Sequence, residues 1–217
     1  MRRVLPTLIA IAAIAFSCQK ELQEFPSNPP IIPPTEPPVN VDSSNLIDSM
    51  KGDWNFVNIT AATQSSTEFN ILGVNRKTVA VLNYNTQNNG GTVTITDSMI
   101  HAVGITYTVS STIKTYTYIS GVLNDSSVSN VNLVFPETES MTPYKVVGPD
   151  SVFFAKGGFT DIAASRIKTK PVAAKVIFEG NALLFQQNIF KDSTQNIDGT
   201  DYHIIQTGTA VIKLQKP

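Results

Sequence analysis

From Trp54 to the C-terminus, apolar and polar residues alternate with a period of two. That is the spacing of a strand with one face buried. Val93-Thr94-Ile95-Thr96 alternates cleanly, and Val103, Ile105, Tyr107 and Val109 alternate with Gly104, Thr106 and Thr108. Ile113, Thr115, Thr117 and Ile119 oppose Lys114, Tyr116 and Tyr118. Further strands are expected over 130–135, 144–147, 151–155, 174–179, 183–188 and 202–214. Asn88-Asn89-Gly90-Gly91 predicts a hairpin, and other turns are expected at Asn124-Asp125, Gly148-Pro149-Asp150, Gly157-Gly158, Glu179-Gly180-Asn181 and Asp198-Gly199. Two segments have helical spacing. Between Ser44 and Gly52, Leu46, Ile47 and Met50 share one face, with Ser44 as N-cap and Gly52 as the stop. The second is 161–170, which Pro171 ends. Many short strands without a βαβ rhythm predict an antiparallel all-β fold, a barrel or a sandwich.

The N-terminus follows a different pattern. Arg2 and Arg3 precede an apolar run, 4–16, interrupted only by Pro6 and Thr7. A transmembrane helix needs roughly 20 apolar residues, so residues 1–17 read as a secretory signal. Ala15-Phe16-Ser17-Cys18 resembles a lipobox, with small residues before a cysteine that receives diacylglycerol. That resemblance makes Cys18 the lipid-bearing first residue of the mature protein, with the membrane as its partner through acyl chains. The alternative is a free thiol beside an ordinary cleavage site. Cys18 is the only cysteine, so the chain holds no internal disulfide. Lipoproteins retained in the inner membrane typically carry Asp after the lipidated cysteine. Gln19 stands there instead, which implies an outer-membrane address in the envelope.

Residues 18–44 form a tether. Seven prolines fall between Pro26 and Pro38, with Pro-Pro recurring every four residues from Pro29. Proline fixes φ and lacks the N–H, so the segment extends as polyproline II at about 3.1 Å per residue. Removal of Arg2 and Arg3 with the signal leaves 14 basic against 17 acidic side chains, a net charge of −3. No Lys/Arg run appears, which argues against a nucleic-acid partner.

The domain 45–217 carries a more specific resemblance. Gly52-Asp53-Trp54 follows the short helix and opens the first strand, and the chain ends about 160 residues later on a strand, Thr209 to Lys216. This arrangement resembles the small lipocalin-like (calycin) domains of bacterial lipoproteins. The resemblance implies an up-and-down barrel closed at one end by Gly52 and Trp54, with a basic residue of the last strand over the tryptophan. No arginine lies near this C-terminus, so Lys213 or Lys216 would take that role. The alternative is an ordinary core tryptophan in a β-sandwich.

No catalytic motif is present: there is no Gly-x-Ser-x-Gly, His-Glu-x-x-His, Cys-x-x-Cys or phosphate-cradling glycine loop. His101 and His203 are far apart in sequence, and an Asp201–His203 pair reads as a surface hydrogen bond. The run from Thr194 to Gly199 partly imitates a calcium loop, but Thr194 replaces the first Asp and Ile205 the last Glu, so no metal is expected. Tyr116 and Tyr118 share a strand face, and Tyr84 and Tyr107 could join them as ligand-facing aromatics. Plain cross-strand packing explains them equally. The expected function is non-enzymatic and without a cofactor: an anchored module binding a small hydrophobic or amphipathic ligand. The alternative is a structural or accessory surface lipoprotein in an envelope complex, for example one that captures glycans.

Overall fold

The computed structural model describes residues 44–155 and 171–217. The expected signal, Cys18, the tether, the Gly157-Gly158 turn and the helix over 161–170 lie outside the described residues. Helix α1 (Ser44–Met50) precedes ten strands: β1 (Gly52–Ile71), β2 (Val74–Asn85), β3 (Gln87–Ile95), β4 (Met99–Ile119), β5 (Val122–Pro143), β6 (Lys145–Gly148), β7 (Ser151–Phe154), β8 (Val172–Glu179), β9 (Ala182–Ile197) and β10 (Thr200–Gln215).

The helix forms where the sequence places it. Leu46 and Met50, one turn apart, are buried, and the Lys51 amide donates to the Ile47 carbonyl at 3.0 Å. Gly52, with φ 112°, then redirects the chain into β1.

All ten strands belong to one antiparallel sheet, in the order β2-β4-β3-β1-β10-β9-β8-β7-β6, with β5 on the free side of β4 and β2 also paired to β1. The first and last strands pair along their length, from Asn55↔Gln215 to Phe69↔Tyr202. β2 and β3 act as one long run beside β1: β2 pairs with 60–71 and β3 with 52–55. Thr86 bridges them, its amide donating to Ile59 O at 2.9 Å while Ile59 N donates to Thr86 Oγ1 at 2.8 Å. The side chain thus continues the ladder where the backbone jogs.

Two turn expectations and one division between strands fail for physical reasons. Asn88-Asn89-Gly90-Gly91 is a bulged stretch inside β3, not a hairpin. Its turn-favouring residues serve the bulge: Gly91 (φ 109°) lies so close to β4 that an added Cβ would sit 2.6 Å from Gly104 O. Residues 103–109 and 113–119 are one 21-residue strand, because the polar Ser110-Ser111-Thr112 stays extended. Asn124-Asp125 lies inside β5, at a register shift, and the reversal comes earlier, at Ser120-Gly121. Leu72-Gly73, Ser120-Gly121 and Asp198-Gly199 all hold positive φ at both positions, the primed turn that matches strand twist.

The core occupies the α1 end of the sheet. Trp54, Val93, Ile95, Ile100, Val152, Phe154, Leu183, Phe185, Ile212 and Leu214 are each 3% exposed or less. At about 1.5–3 kcal/mol for each large apolar side chain, this cluster dominates stability. β6, β7 and β8 are only 4, 4 and 8 residues long and cover only this end. Beyond it β5, β4, β2, β1, β10 and β9 continue as a sheet extension that is half-buried to exposed, so the sheet is not disposed evenly round an axis.

Candidate functional site

At the α1 end of the sheet, Trp54 is 3% exposed and its Nε1 donates to Met50 O at 2.9 Å. Lys216 Nζ stands 4.0 Å from the Trp54 ring centroid and donates to Lys51 O at 3.1 Å. Helix, first strand and last strand are therefore tied at one point. Gly52 makes room for this contact, since a Cβ there would lie 3.0 Å from Lys216 Nζ. Of the two lysines considered, Lys216 takes the position; Lys213, between the buried Ile212 and Leu214, points to the opposite face. Lys51 completes the cluster through ion pairs with Asp97 and, at 3.1 Å, Asp48, which raise its pKa.

The candidate tyrosines divide between two faces. Tyr107 is buried, stacked on Phe135 at 4.5 Å and tilted against Phe56 at 6.2 Å. Tyr84 packs half-buried against the same core. Burial raises the pKa of both phenols above the usual tyrosine range, and Tyr84 adds to the effect on Tyr107. Tyr116 and Tyr118 alternate with Ile113, Thr115 and Thr117, which continue the inward-facing register of Tyr107 and Val109. They lie on the other face. There Tyr118, Val79 and Lys77 border an open cleft of about 500 Å³ with Gln64, Ser66 and Glu68. A single four-tyrosine platform is not formed; parity on β4 separates the pairs.

The histidines are surface residues. His203 Nε2 lies 2.8 Å from Asp192 Oδ1, not at Asp201, whose carboxylate accepts from Asn196 Nδ2 at 2.6 Å. His101 Nε2 lies 2.9 Å from Glu139. Among the described residues no group of three or more His, Cys, Asp or Glu side chains could hold a metal ion. Residues 194–199 form the polar β9–β10 hairpin. No helix of the described residues is long and apolar enough to cross a membrane.

Sequence reasoning missed Gln187. It is 1% exposed, and among the described residues neither Nε2 nor Oε1 has a hydrogen-bond partner. Alternation carried the signal: Leu183, Phe185 and Gln187 fall on one parity, so a strand buried at the first two positions also buries the third. Comparison with protein-family models, with curated proteins and with solved structures finds no match.

Proposed function

We propose that this chain is an envelope lipoprotein, anchored at Cys18 and raised on its proline-rich tether, whose domain is a lipocalin-like barrel that holds a small hydrophobic or amphipathic ligand. The observation that carries the reading is the Lys216–Trp54–Met50 closure of one end, the arrangement expected of the Gly-x-Trp motif. The ladder order supports it. Apart from β2–β3 and β5–β6, which follow one another without pairing, each strand ladders with the next in sequence; β10 returns to β1, β5 pairs with β4 and β6 with β7. Counting β2–β3 and β5–β6 each as one run reduces the ten strands to eight, the number whose barrel has room for one small ligand. One continuous sheet favours this reading over a sandwich, which needs two. The aromatic tier of Phe56, Tyr107 and Phe135 marks where the sealed core gives way to the open extension.

The anchor is tested by metabolic labelling with a palmitate analogue. Wild type incorporates it and fractionates with the outer membrane, whereas Cys18→Ala does neither. Ligand binding is tested by extracting the purified protein with organic solvent. A reproducible small apolar compound supports the reading, and none in repeated preparations opposes it.

A second reading, an accessory subunit of an envelope complex, is favoured by β5. Among the described residues it ladders with β4 alone and exposes Val122, Val128, Val134 and Met141. Such an edge accepts a further strand. Co-purification of a stoichiometric partner in mild detergent tests it.

A further inference from the structure

The outer face of the sheet extension, opposite the core, carries a cleft of its own. Gln64, Ser66 and Glu68 of β1, Lys77 and Val79 of β2 and Tyr118 of β4 border about 500 Å³ of open space. Ladder register sets them in rows: Glu68 pairs with Lys77 and Lys77 with Tyr118, while Ser66 pairs with Val79 and Val79 with Tyr116. Alternation turns the lining side chains to one side of the sheet, away from the Ala61–Tyr84 pair on the core side. At about 4.8 Å per strand, the backbones of Glu68 and Tyr118 stand about 10 Å apart across the cleft.

The space is open, and its walls are held in place. Val79, 7% exposed, forms the floor and stands outside the core cluster. Gln64 is exposed, and Ser66, Glu68, Lys77 and Tyr118 are half-buried. A Cβ added at Gly121 on the rim would meet nothing within 4 Å. Asn75 Nδ2 donates to Glu68 Oε1 at 2.7 Å, and the Ser120 amide donates to the Asn75 carbonyl at 2.8 Å, which ties the β1–β2 and β4–β5 turns together. Among the described residues the side chains of Gln64, Ser66 and Lys77 make no hydrogen bond or ion pair, so their donors and acceptors face the cleft unspent.

The lining selects the chemistry of its occupant. Glu68 and Lys77 stand opposite each other in register, so a free ion of either sign meets one repelling partner. A wholly apolar molecule would strip water from these polar groups and return no hydrogen bonds. A neutral polyhydroxyl molecule answers both constraints. Its hydroxyls donate to the Glu68 carboxylate and accept from Lys77, Ser66 and Gln64, while its C–H face stacks on an aromatic ring. We propose that this cleft binds a neutral oligosaccharide, with one sugar ring on Tyr118 and its hydroxyls held between Glu68 and Lys77. The site lies on the face opposite the core, so it does not depend on the lipocalin-like reading.

The test is calorimetric titration of the full mature chain, in mild detergent, with maltohexaose, cellohexaose, xylohexaose, mannohexaose and chitohexaose as neutral probes and hexagalacturonate as an acidic one. At least one neutral oligomer should bind wild type. Tyr118→Ala should weaken that binding by about tenfold, whereas Tyr118→Phe, which keeps the ring, should stay within about twofold. Lys77→Met keeps the apolar stem and removes only the donors. It should weaken binding by about tenfold or more, with the unfolding midpoint close to wild type. If Y118A does not fold, K77M decides the site. Binding of none of the neutral oligomers to wild type would overturn the proposal, and so would equal affinity in wild type and K77M. Tighter binding of hexagalacturonate than of every neutral oligomer would overturn the assignment of a neutral ligand.

Discussion

Replacing Lys216 with methionine keeps an unbranched apolar stem against Trp54 and removes only the ammonium. Two interactions are lost: the cation over the ring at 4.0 Å and the 3.1 Å hydrogen bond to Lys51 O. Lys216 is exposed, so the first is worth about 0.5–1 kcal/mol and the second, discounted for solvent, about 1 kcal/mol. The expected loss is about 1.5–2 kcal/mol. For a domain of this size that lowers the unfolding midpoint by about 3–8 °C. Trp54 is the only tryptophan, so its emission reports on this one point of the fold. In K216M the midpoint should fall and the native emission should change as the charge leaves the ring. Lys216→Arg, which can stack on the indole and still donate, should recover most of the midpoint. A K216M stability within about 0.5 kcal/mol of wild type, with unchanged emission, would refute the Lys216–Trp54 contact as an energetic feature.

Phe185→Ala, at a fully buried position, should cost about 3–5 kcal/mol in chemical denaturation. Gly91→Ala should cost more than about 1 kcal/mol, because its Cβ meets Gly104 O at 2.6 Å and φ is 109°; the same denaturation curve checks it. Burial raises the pKa of Tyr84 and Tyr107, so the unfolded state releases their protons first as pH rises. Stability from this source is full below about pH 10 and is lost above it. Tyr107→Phe should flatten that alkaline loss, and a tyrosinate absorbance titration should show these two phenols ionising only with unfolding.

Much of the fold was legible because alternation depends on few competing causes. α1 is legible in Leu46, Ile47 and Met50, and β8, β9 and β10 in runs where buried apolar residues recur at every second position towards the α1 end. Strand ends were harder. Gly and Asn favour turns and bulges alike, so Asn88 to Gly91 resembled a reversal when the chain continued through it. β5 was read as a short strand because Ser126 to Asn132 mixes polar and apolar residues, as an exposed strand paired on one edge can. At the α1 end of the sheet Gly52 and Trp54 are visible in the sequence, but the choice between Lys213 and Lys216 depends on strand parity at the C-terminus. Tyr107 falls on the opposite parity from Tyr116 and Tyr118, so their separation follows once 103–109 and 113–119 are one continuous strand. Gln187 was concealed by its polarity, although its spacing from Phe185 placed it inside.

The central claim is that the domain carries a small ligand within its sheet, and native mass spectrometry tests this most directly. The mature lipidated protein should be purified from its own envelope in mild detergent and weighed before and after organic extraction. The account predicts a reproducible mass increment that extraction removes, with a small hydrophobic or amphipathic compound in the organic phase. A mass equal to the lipidated chain alone in repeated preparations, with nothing released on extraction, would contradict it.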